Sequence, residues 1–413
     1  MRIIVVGAGI GGLAAAGLLH RDGHQVELLE RSSGLGEVGA GIQISPNAAR
    51  VLAHLGLGPA FARVATTPER VVLRRWDDSS ILLVTPTGDR SERRYGYRYA
   101  NVYRPDLIDV LAGAVAEVPV HFDTTVTGAA PTGTGAAVTL ADGEVRHADL
   151  VVGADGIHSA VRTDRFGPES PRYSGNAAYR ALVPRDAVAD LPVEVTNHLG
   201  PGGHLVSYFV GRDRRFLNLV CVVEEPEPAG ESWTIEGSRA ELRAAFATWS
   251  PLVRAMLDAV VEPVFRWSLY DREPLDRWSE SPVVLLGDAC HPMLPYMAQG
   301  AAQAMEDAAT LSVLIRPERG FGDGFTAGRA ADRAHLADRL AAYEQIRKPR
   351  TSRIQQRAYR NRTTFHLPDG PEQQRRDAAL ADAGSRDPDG DAGTAALDWL
   401  HGHDPFAVPV PGG

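Results

Sequence analysis

Residues 1–30 read MRIIVVGAGIGGLAAAGLLHRDGHQVELLE, and this stretch decides the fold. Residues 2–6 (RIIVV) fit a short buried strand, 10–20 (IGGLAAAGLLH) a helix and 25–29 (QVELL) a second strand. Gly7, Gly9 and Gly12 stand between the first strand and the helix in GxGxxG spacing. There, glycines permit a tight turn and let a pyrophosphate reach the backbone at a helix N-terminus, where free N–H groups and the helix dipole favour an anion. Glu30 ends the second strand, where a carboxylate can accept both hydroxyls of a ribose. The stretch therefore reads as a βαβ dinucleotide-binding unit. It does not read as a secretory leader, because the glycines follow the strand directly and Glu and Arg stand where a cleavage site would be.

Downstream, a glycine-rich loop (32–47) leads to a helix through Leu52 and Leu55, with Asn47 after Pro46 as its expected N-cap. Strand-like alternation at 71–76 and 80–84 points to an inserted sheet, and 105–116 returns to helix. Residues 149–154 (DLVVGA) and 282–289 (PVVLLGDA) have the continuous apolar character of buried parallel strands, and 300–315 is a long helix. Between them, NAAYRALVP, HLVSYFV and FLNLVCVVEE read as the antiparallel sheet of a second domain. The expected fold is α/β. A discontinuous Rossmann-like nucleotide domain (1–70, 100–168, 280–345) carries an inserted β-sheet substrate domain (71–99, 169–279), followed by a helical tail (346–413) in which 378–394 is a flexible surface loop.

Composition bounds the partners. At 413 residues the chain suits two packed domains, and 44% hydrophobic with 23% charged residues is ordinary for a globular protein. A net charge of −9 argues against nucleic acid and anionic membranes. No run is apolar enough to span a bilayer. Two cysteines, Cys221 and Cys290, without a CxxC pair, exclude a disulfide scaffold and a zinc cluster and suit a reducing cytoplasm.

Two further motifs sharpen the ligand. GADGIHSAVR (153–162) places Asp155 at one strand end, and Asp288 sits at another in GDACHPMLPYMAQGAAQAMEDA (287–308). Two acidic strand ends facing one dinucleotide suit an extended FAD better than NAD alone. Cys290 and His291 lack the further ligands a zinc site needs, and a Cys/His nucleophile pair is made in space, not by adjacency. They read as packing around a buried thiol, with no metal expected. Glu306 and Asp307 read as helix-surface or domain-contact residues. His204 and Tyr208, four apart in GGHLVSYFV, point to one face of a strand. By pattern alone they are hydrogen-bonded core residues.

With these residues in view, the chain resembles the group A aromatic hydroxylases, single-component flavoprotein monooxygenases of the para-hydroxybenzoate hydroxylase fold. The likeness is greatest to the salicylate, 3-hydroxybenzoate and 6-hydroxynicotinate branch. It is carried by GAGIGGLAAA, GAGIQISPNAARVLAHLGL, YRPDL, GADGIHSAVR, the 287–308 segment, YEQIRKPRTSRIQ and DWLHGHD. The resemblance implies non-covalent FAD, with NADH or NADPH and O2 as co-substrates. It implies hydroxylation of a phenolic aromatic acid through a flavin C4a-hydroperoxide, with oxidative decarboxylation open. It places Glu30 and Arg31 at the adenosine ribose, Val126 at the adenine side, Arg104 at the pyrophosphate and Asp288 along the ribityl or pyrophosphate chain. Gln43 and Asp155 would lie near the flavin, with Asp155 also at the NAD(P)H docking point. Pro295 would wall the ring, and the N–H groups of Gly300 and Ala301 would receive the charge of reduced flavin. His204, titrating near neutrality, would take the phenolic proton; Tyr208 would bond the ring oxygen or carboxylate, and Tyr296 would add a substrate contact.

The rival substrate is a phenolic intermediate of secondary metabolism. The rival classes are an NAD-dependent reductase or dehydrogenase and a non-catalytic flavin-binding module. No arginine claims a substrate carboxylate from sequence alone, and the chain is expected to be a monomer or a homodimer.

Overall fold

A computed structural model describes residues 1–36, 40–228, 235–385 and 395–409. Strand β1 (Arg2–Val6) lies between β2 (Gln25–Leu29) and β11 (Leu150–Gly153), all parallel. The sheet continues in parallel to β7 (Val120–His121) on one side and β19 (Val283–Leu285) on the other, and ends in a short antiparallel β18 (Ser279–Glu280). Ile3, Ile4, Val5, Val151, Val152, Val283 and Val284 are all buried, as expected of strands covered on both faces.

The helices are α1 (Ile10–Arg21), α2 (Pro46–His54), α3 (Gly58–Val64), α4 (Gly88–Tyr95), α5 (Arg104–Ala112) and α6 (Ala160–Phe166). They continue with α7 (Arg239–Ala245), α8 (Pro251–Asp258), α9 (Gly300–Leu314), α10 (Ala330–Phe365), α11 (Pro371–Ser385) and α12 (Asp398–His401). Helices α1 and α9 pack against each other, and Gly11 permits this, since a Cβ there would lie 3.0 Å from Ala304 Cβ. Both N-termini therefore open toward the same end of the parallel sheet.

The second large sheet has eight strands in the order β16 (Glu236–Gly237), β17 (Val261–Asp271), β12 (Arg172–Pro184), β15 (Phe216–Glu224), β14 (Gly203–Val210), β13 (Val195–Gly200), β4 (Arg70–Arg75), β5 (Ile81–Pro86). Its two faces differ. Leu205, Phe209, Leu219 and Cys221 pack with Phe246, Trp249, Val253 and Leu257 of the α7–α8 region into a closed core. The alternate residues His204, Val206 and Tyr208 turn the other way, toward the parallel sheet. A register slip of one residue would exchange these sets, so burial of the Leu205 face is what aims His204 and Tyr208. Two smaller sheets complete the fold: β3 (Gly41–Ile44) with β6 (Ala100–Tyr103), and β8 (Val126–Thr132), β9 (Gly135–Leu140) and β10 (Val145–Ala148).

The α/β class with an inserted sheet and helical C-terminal region is as the sequence indicates, with local corrections. Ser45, not Asn47, is the N-cap of α2, because Pro46 takes the first helical position where its missing N–H costs nothing. Residues 378–385 belong to helix α11 and are not loop, while 386–394 lie outside the described residues. Glu306 and Asp307 are fully buried and not on the helix surface.

Candidate functional site

A cavity of about 410 Å³ opens between the C-terminal end of the parallel sheet and the open face of the eight-stranded sheet. One wall is nucleotide-type. Gly7 has φ +98° and brings the turn so close that a Cβ there would lie 2.5 Å from the Ala154 carbonyl oxygen. A Cβ on Gly12 would lie 1.8 Å from the Gly7 carbonyl oxygen, so both positions require glycine. Gly9 differs: it lines the cavity, and a Cβ there would meet nothing within 4 Å. Across the cavity Gly300 and Ala301 open α9, and Gly300 likewise faces open space. Two helix N-termini thus present unpaired N–H groups to one cavity.

Arg104, at the start of α5, lines the same wall; its backbone N–H donates to Ala40 O at 2.8 Å. Asp288 lines the cavity with its side chain open to it, and desolvation raises its pKa. Pro295 is also exposed to the cavity. Gln43, on β3, lines the cavity and accepts a hydrogen bond from the Tyr99 hydroxyl.

Several expected cofactor residues lie outside this lining. Glu30 accepts N–H bonds from Ala8 (2.7 Å) and Ser32 (2.8 Å), which orients its carboxylate at the turn beside Gly7, and Arg31 beside it is exposed. Val126 is buried at the start of β8, two residues past Thr124, whose N–H donates to Glu30 O. Asp155 turns its carboxylate into the start of α6, accepting from Ser159 Oγ at 2.5 Å and from the Val161 N–H at 3.2 Å. Its neighbours Ala154 and Gly156 reach the cavity.

The opposite wall is the sheet. His204 and Tyr208 both line it, and so does Arg180 of β12. Arg180 pairs with Val220 on β15, which pairs with Val206 on β14. The register therefore sets the guanidinium's row between those of His204 and Tyr208, two strands away. Arg180 donates to Gly41 O at 3.1 Å and stacks on Trp267 at 4.8 Å, but its Nε is buried without a partner. Burial lowers its pKa, the mark of a cation stripped of water. Burial raises the Tyr208 pKa, so its hydroxyl stays a neutral donor.

His204 corrects an expectation. It does not titrate near neutrality: burial first, and then the adjacent His366, push its pKa well below 6.5. Its Nδ1 lies 2.8 Å from His366 Nε2. Tyr296 is outside the cavity lining; its ring packs against His204 with centroids 5.1 Å apart.

The 287–308 segment is tied down behind the cavity. Asp307 binds Arg347 Nε at 2.7 Å, His291 Nε2 at 2.5 Å and the Gly287 N–H at 2.9 Å. Glu306 accepts from Arg347, Arg350 and Asn47. His291 is thus a hydrogen-bonding partner and not mere packing, and it anchors the turn that carries Asp288. Cys290 Sγ, His291 and Asp307 lie within 4.8 Å of one another, a spacing that could suit a metal. However, both Asp307 oxygens are already engaged by donors, and the Arg347 cation lies alongside. Desolvation raises the Cys290 pKa well above its ordinary value and keeps it a thiol.

Against known proteins, the profile of the family described as "FAD binding domain" matches residues 1–358. The chain belongs to this FAD-binding family. Among its relatives, 3-amino-4-hydroxybenzoate 2-monooxygenase PtmB3 of Streptomyces platensis is 36% identical over 99% of this chain and 97% of its own length. The 6-hydroxynicotinate 3-monooxygenase of Pseudomonas fluorescens is 36% identical over 87% of this chain and 91% of its own. The structure of Klebsiella pneumoniae HpxO with FAD and uric acid superposes with a TM-score of 0.80 at 28% identity, covering 96% of this chain and 97% of that one.

The residues fit the family's cofactor. Gly9 and Gly300 are cradle positions that a side chain would fill, and Arg104 and Asp288 supply one charge of each sign along the same wall. Two residues at or beside this wall, Arg180 and His366, are not singled out by the sequence pattern. Arg180 had a usable signal, a lone cation in the apolar run NAAYRALVP. His366 had none, because only the return of α10 brings it to His204.

Proposed function

We propose that this protein is an FAD-dependent, NAD(P)H- and O2-using monooxygenase that hydroxylates a small aromatic acid bearing a ring hydroxyl. The observation that carries this is the single cavity in which Gly9, Gly300 and Ala301 face His204, Tyr208 and Arg180. FAD, when bound, takes electrons from NAD(P)H and activates oxygen. The chain's own residues do the rest. The opening N–H groups of α9 favour negative charge on the ring system they face. His204 accepts the phenolic proton, which raises electron density at the carbon to be attacked. Tyr208 donates to the ring oxygen, and Arg180 pairs with the carboxylate. An arginine buried with an unpaired Nε is best satisfied by an anion. The relatives' names support the substrate class, since 3-amino-4-hydroxybenzoate and 6-hydroxynicotinate both combine a ring hydroxyl with a carboxylate.

The assignment of residues 1–70, 100–168 and 280–345 to cofactor and of 71–99 and 169–279 to substrate is supported by the cavity lying between the two sheets. A reducing cytoplasm is supported by two free, buried thiols, and a monomer or homodimer is the proposed state. Among the described residues no helix is long and apolar enough to cross a membrane.

The test is a panel of hydroxylated aromatic acids scored for stimulated NADH and NADPH oxidation, with product mass separating simple hydroxylation from loss of carbon dioxide. Oxidation that no aromatic acid stimulates would overturn the reading.

A further inference from the structure

We propose that His366 is the second member of a proton relay that runs from the substrate phenol through His204 to the exposed carboxylate of Glu224. This rests on the phenolic substrate proposed above. His204 Nδ1 and His366 Nε2 are 2.8 Å apart, so one of the two nitrogens carries the proton and the other accepts it. That leaves His204 Nε2 for a ligand in the cavity that the residue lines. His366 Nδ1 is buried without a hydrogen-bond partner and lies 4.0 Å from Glu224 Oε1. The Glu224 side chain is 63% exposed, so the chain of groups leads from the buried His204 to solvent. The last gap is too long for a direct hydrogen bond and is one that a rotation of the carboxylate or a bridging water closes.

The backbone holds the three groups together. Gly202 N–H donates to His366 O at 3.2 Å, and Glu224 N–H donates to Gly202 O at 2.8 Å. Tyr296 and Phe365 flank His204, with ring centroids at 5.1 and 5.4 Å. The charged and titratable groups around the pair are Arg362, Glu224 and Tyr296. Burial, with Arg362, lowers the His366 pKa to about 4, and burial also keeps His204 neutral. Neither ring can store a proton at neutral pH, so a proton arriving on one side has to leave on the other.

The transfer balances without a charged imidazole. The phenol O–H breaks and its proton bonds to His204 Nε2. The proton on His204 Nδ1 moves to His366 Nε2, and the proton on His366 Nδ1 leaves to Glu224 and solvent. One proton crosses, both imidazoles end as the opposite neutral tautomer, and the substrate keeps the electron pair as phenolate. His366 acts through His204 and is a positioning and relay residue.

The experiment uses the oxidised, FAD-loaded protein without NAD(P)H. It is mixed by stopped flow with a phenolic aromatic acid found in the substrate panel, and phenolate absorbance is followed in H2O and D2O mixtures. The wild type is expected to ionise the bound phenol with a curved proton inventory, since more than one proton moves. His366→Gln keeps a hydrogen-bonding partner for His204 but cannot pass a proton, so phenolate formation should slow by about tenfold or more with little change in affinity. Glu224→Gln, at an exposed position, should also slow it and provides a second test if His366→Gln does not fold. A linear inventory in the wild type, or wild-type rates in these variants, would overturn the relay. A wild type that ionises no phenolic acid would instead overturn the substrate reading on which it rests.

Discussion

The carboxylate of Glu306 and the guanidinium of Arg347 meet at 2.5 Å, and both side chains are inaccessible to solvent. Burial on its own would raise the Glu306 pKa, but Arg347 and Arg350 outweigh it and hold the group at about 2. The pair joins α9, whose N-terminus faces the cavity, to α10, whose end carries His366. Replacing Glu306 by Leu leaves the Arg350 charge without a carboxylate and Arg347 with Asp307 alone, and we expect a loss of about 3–5 kcal/mol in urea unfolding of the FAD-loaded protein. A loss below about 1 kcal/mol would show that the network is structurally dispensable.

The glycines of the first turn should separate folding from cofactor binding. Gly12→Ala forces a methyl to 1.8 Å from the Gly7 carbonyl oxygen, so the turn itself must open and thermal stability should fall even without flavin. Gly9→Ala meets nothing in the protein, so the apoprotein should melt as the wild type does. FAD affinity, followed by flavin fluorescence quenching, should nonetheless drop by about tenfold, equivalent to about 1.4 kcal/mol, because the methyl occupies the cavity wall. Equal FAD affinity in Gly9→Ala would place the pyrophosphate elsewhere.

Arg180→Gln should raise KM for hydroxylated aromatic acids by about 30-fold, corresponding to about 2 kcal/mol for a desolvated charge pair. Phenols without a carboxylate should be affected far less. A uniform effect on both would show that Arg180 shapes the cavity and does not pair with the acid. Arg180→Lys should restore only part of the effect, since an ammonium lacks the planar fork that holds a carboxylate in two places.

Acid should destabilise the fold earlier than its carboxylates alone would require. Burial lowers His24, His198, His366, His401 and His403 to about 4 in the folded protein, against 6.5 in the unfolded chain. Between those values the unfolded state binds more protons, so stability falls as pH drops from 6.5 toward 4, by up to about 1.4 kcal/mol per pH unit for each such histidine. Asp155 and Asp288, whose pKa values are raised by desolvation, act in the opposite direction. We expect urea midpoints to decline steadily from pH 7 to pH 5. A flat profile there would show that the histidines are hydrated in the folded state.

Features that depend on local geometry were legible from the sequence. Gly7 and Gly12 are dictated by a turn a few residues long, and the two-residue period of HLVSYFV sets His204 and Tyr208 on one face whatever else the chain does. The apolar runs of β1, β2 and β11 likewise announce a parallel sheet before any partner is known.

What only the tertiary structure decided are relations between residues far apart in the chain. Arg180 became a cavity cation because the β12–β15–β14 register set it between the rows of His204 and Tyr208. Glu306 and Asp307 read as helix-surface or domain-contact acids in the sequence, and α10 brings Arg347, 40 and 41 positions along the chain, to meet them in a buried cluster. His366 reached His204 across 162 positions, and burial, with that contact second, turned an expected near-neutral base into a neutral imidazole. The physical reason is the same in each case: local sequence sets backbone conformation and the direction of a side chain, whereas desolvation and charge pairing are set by whichever elements close over it.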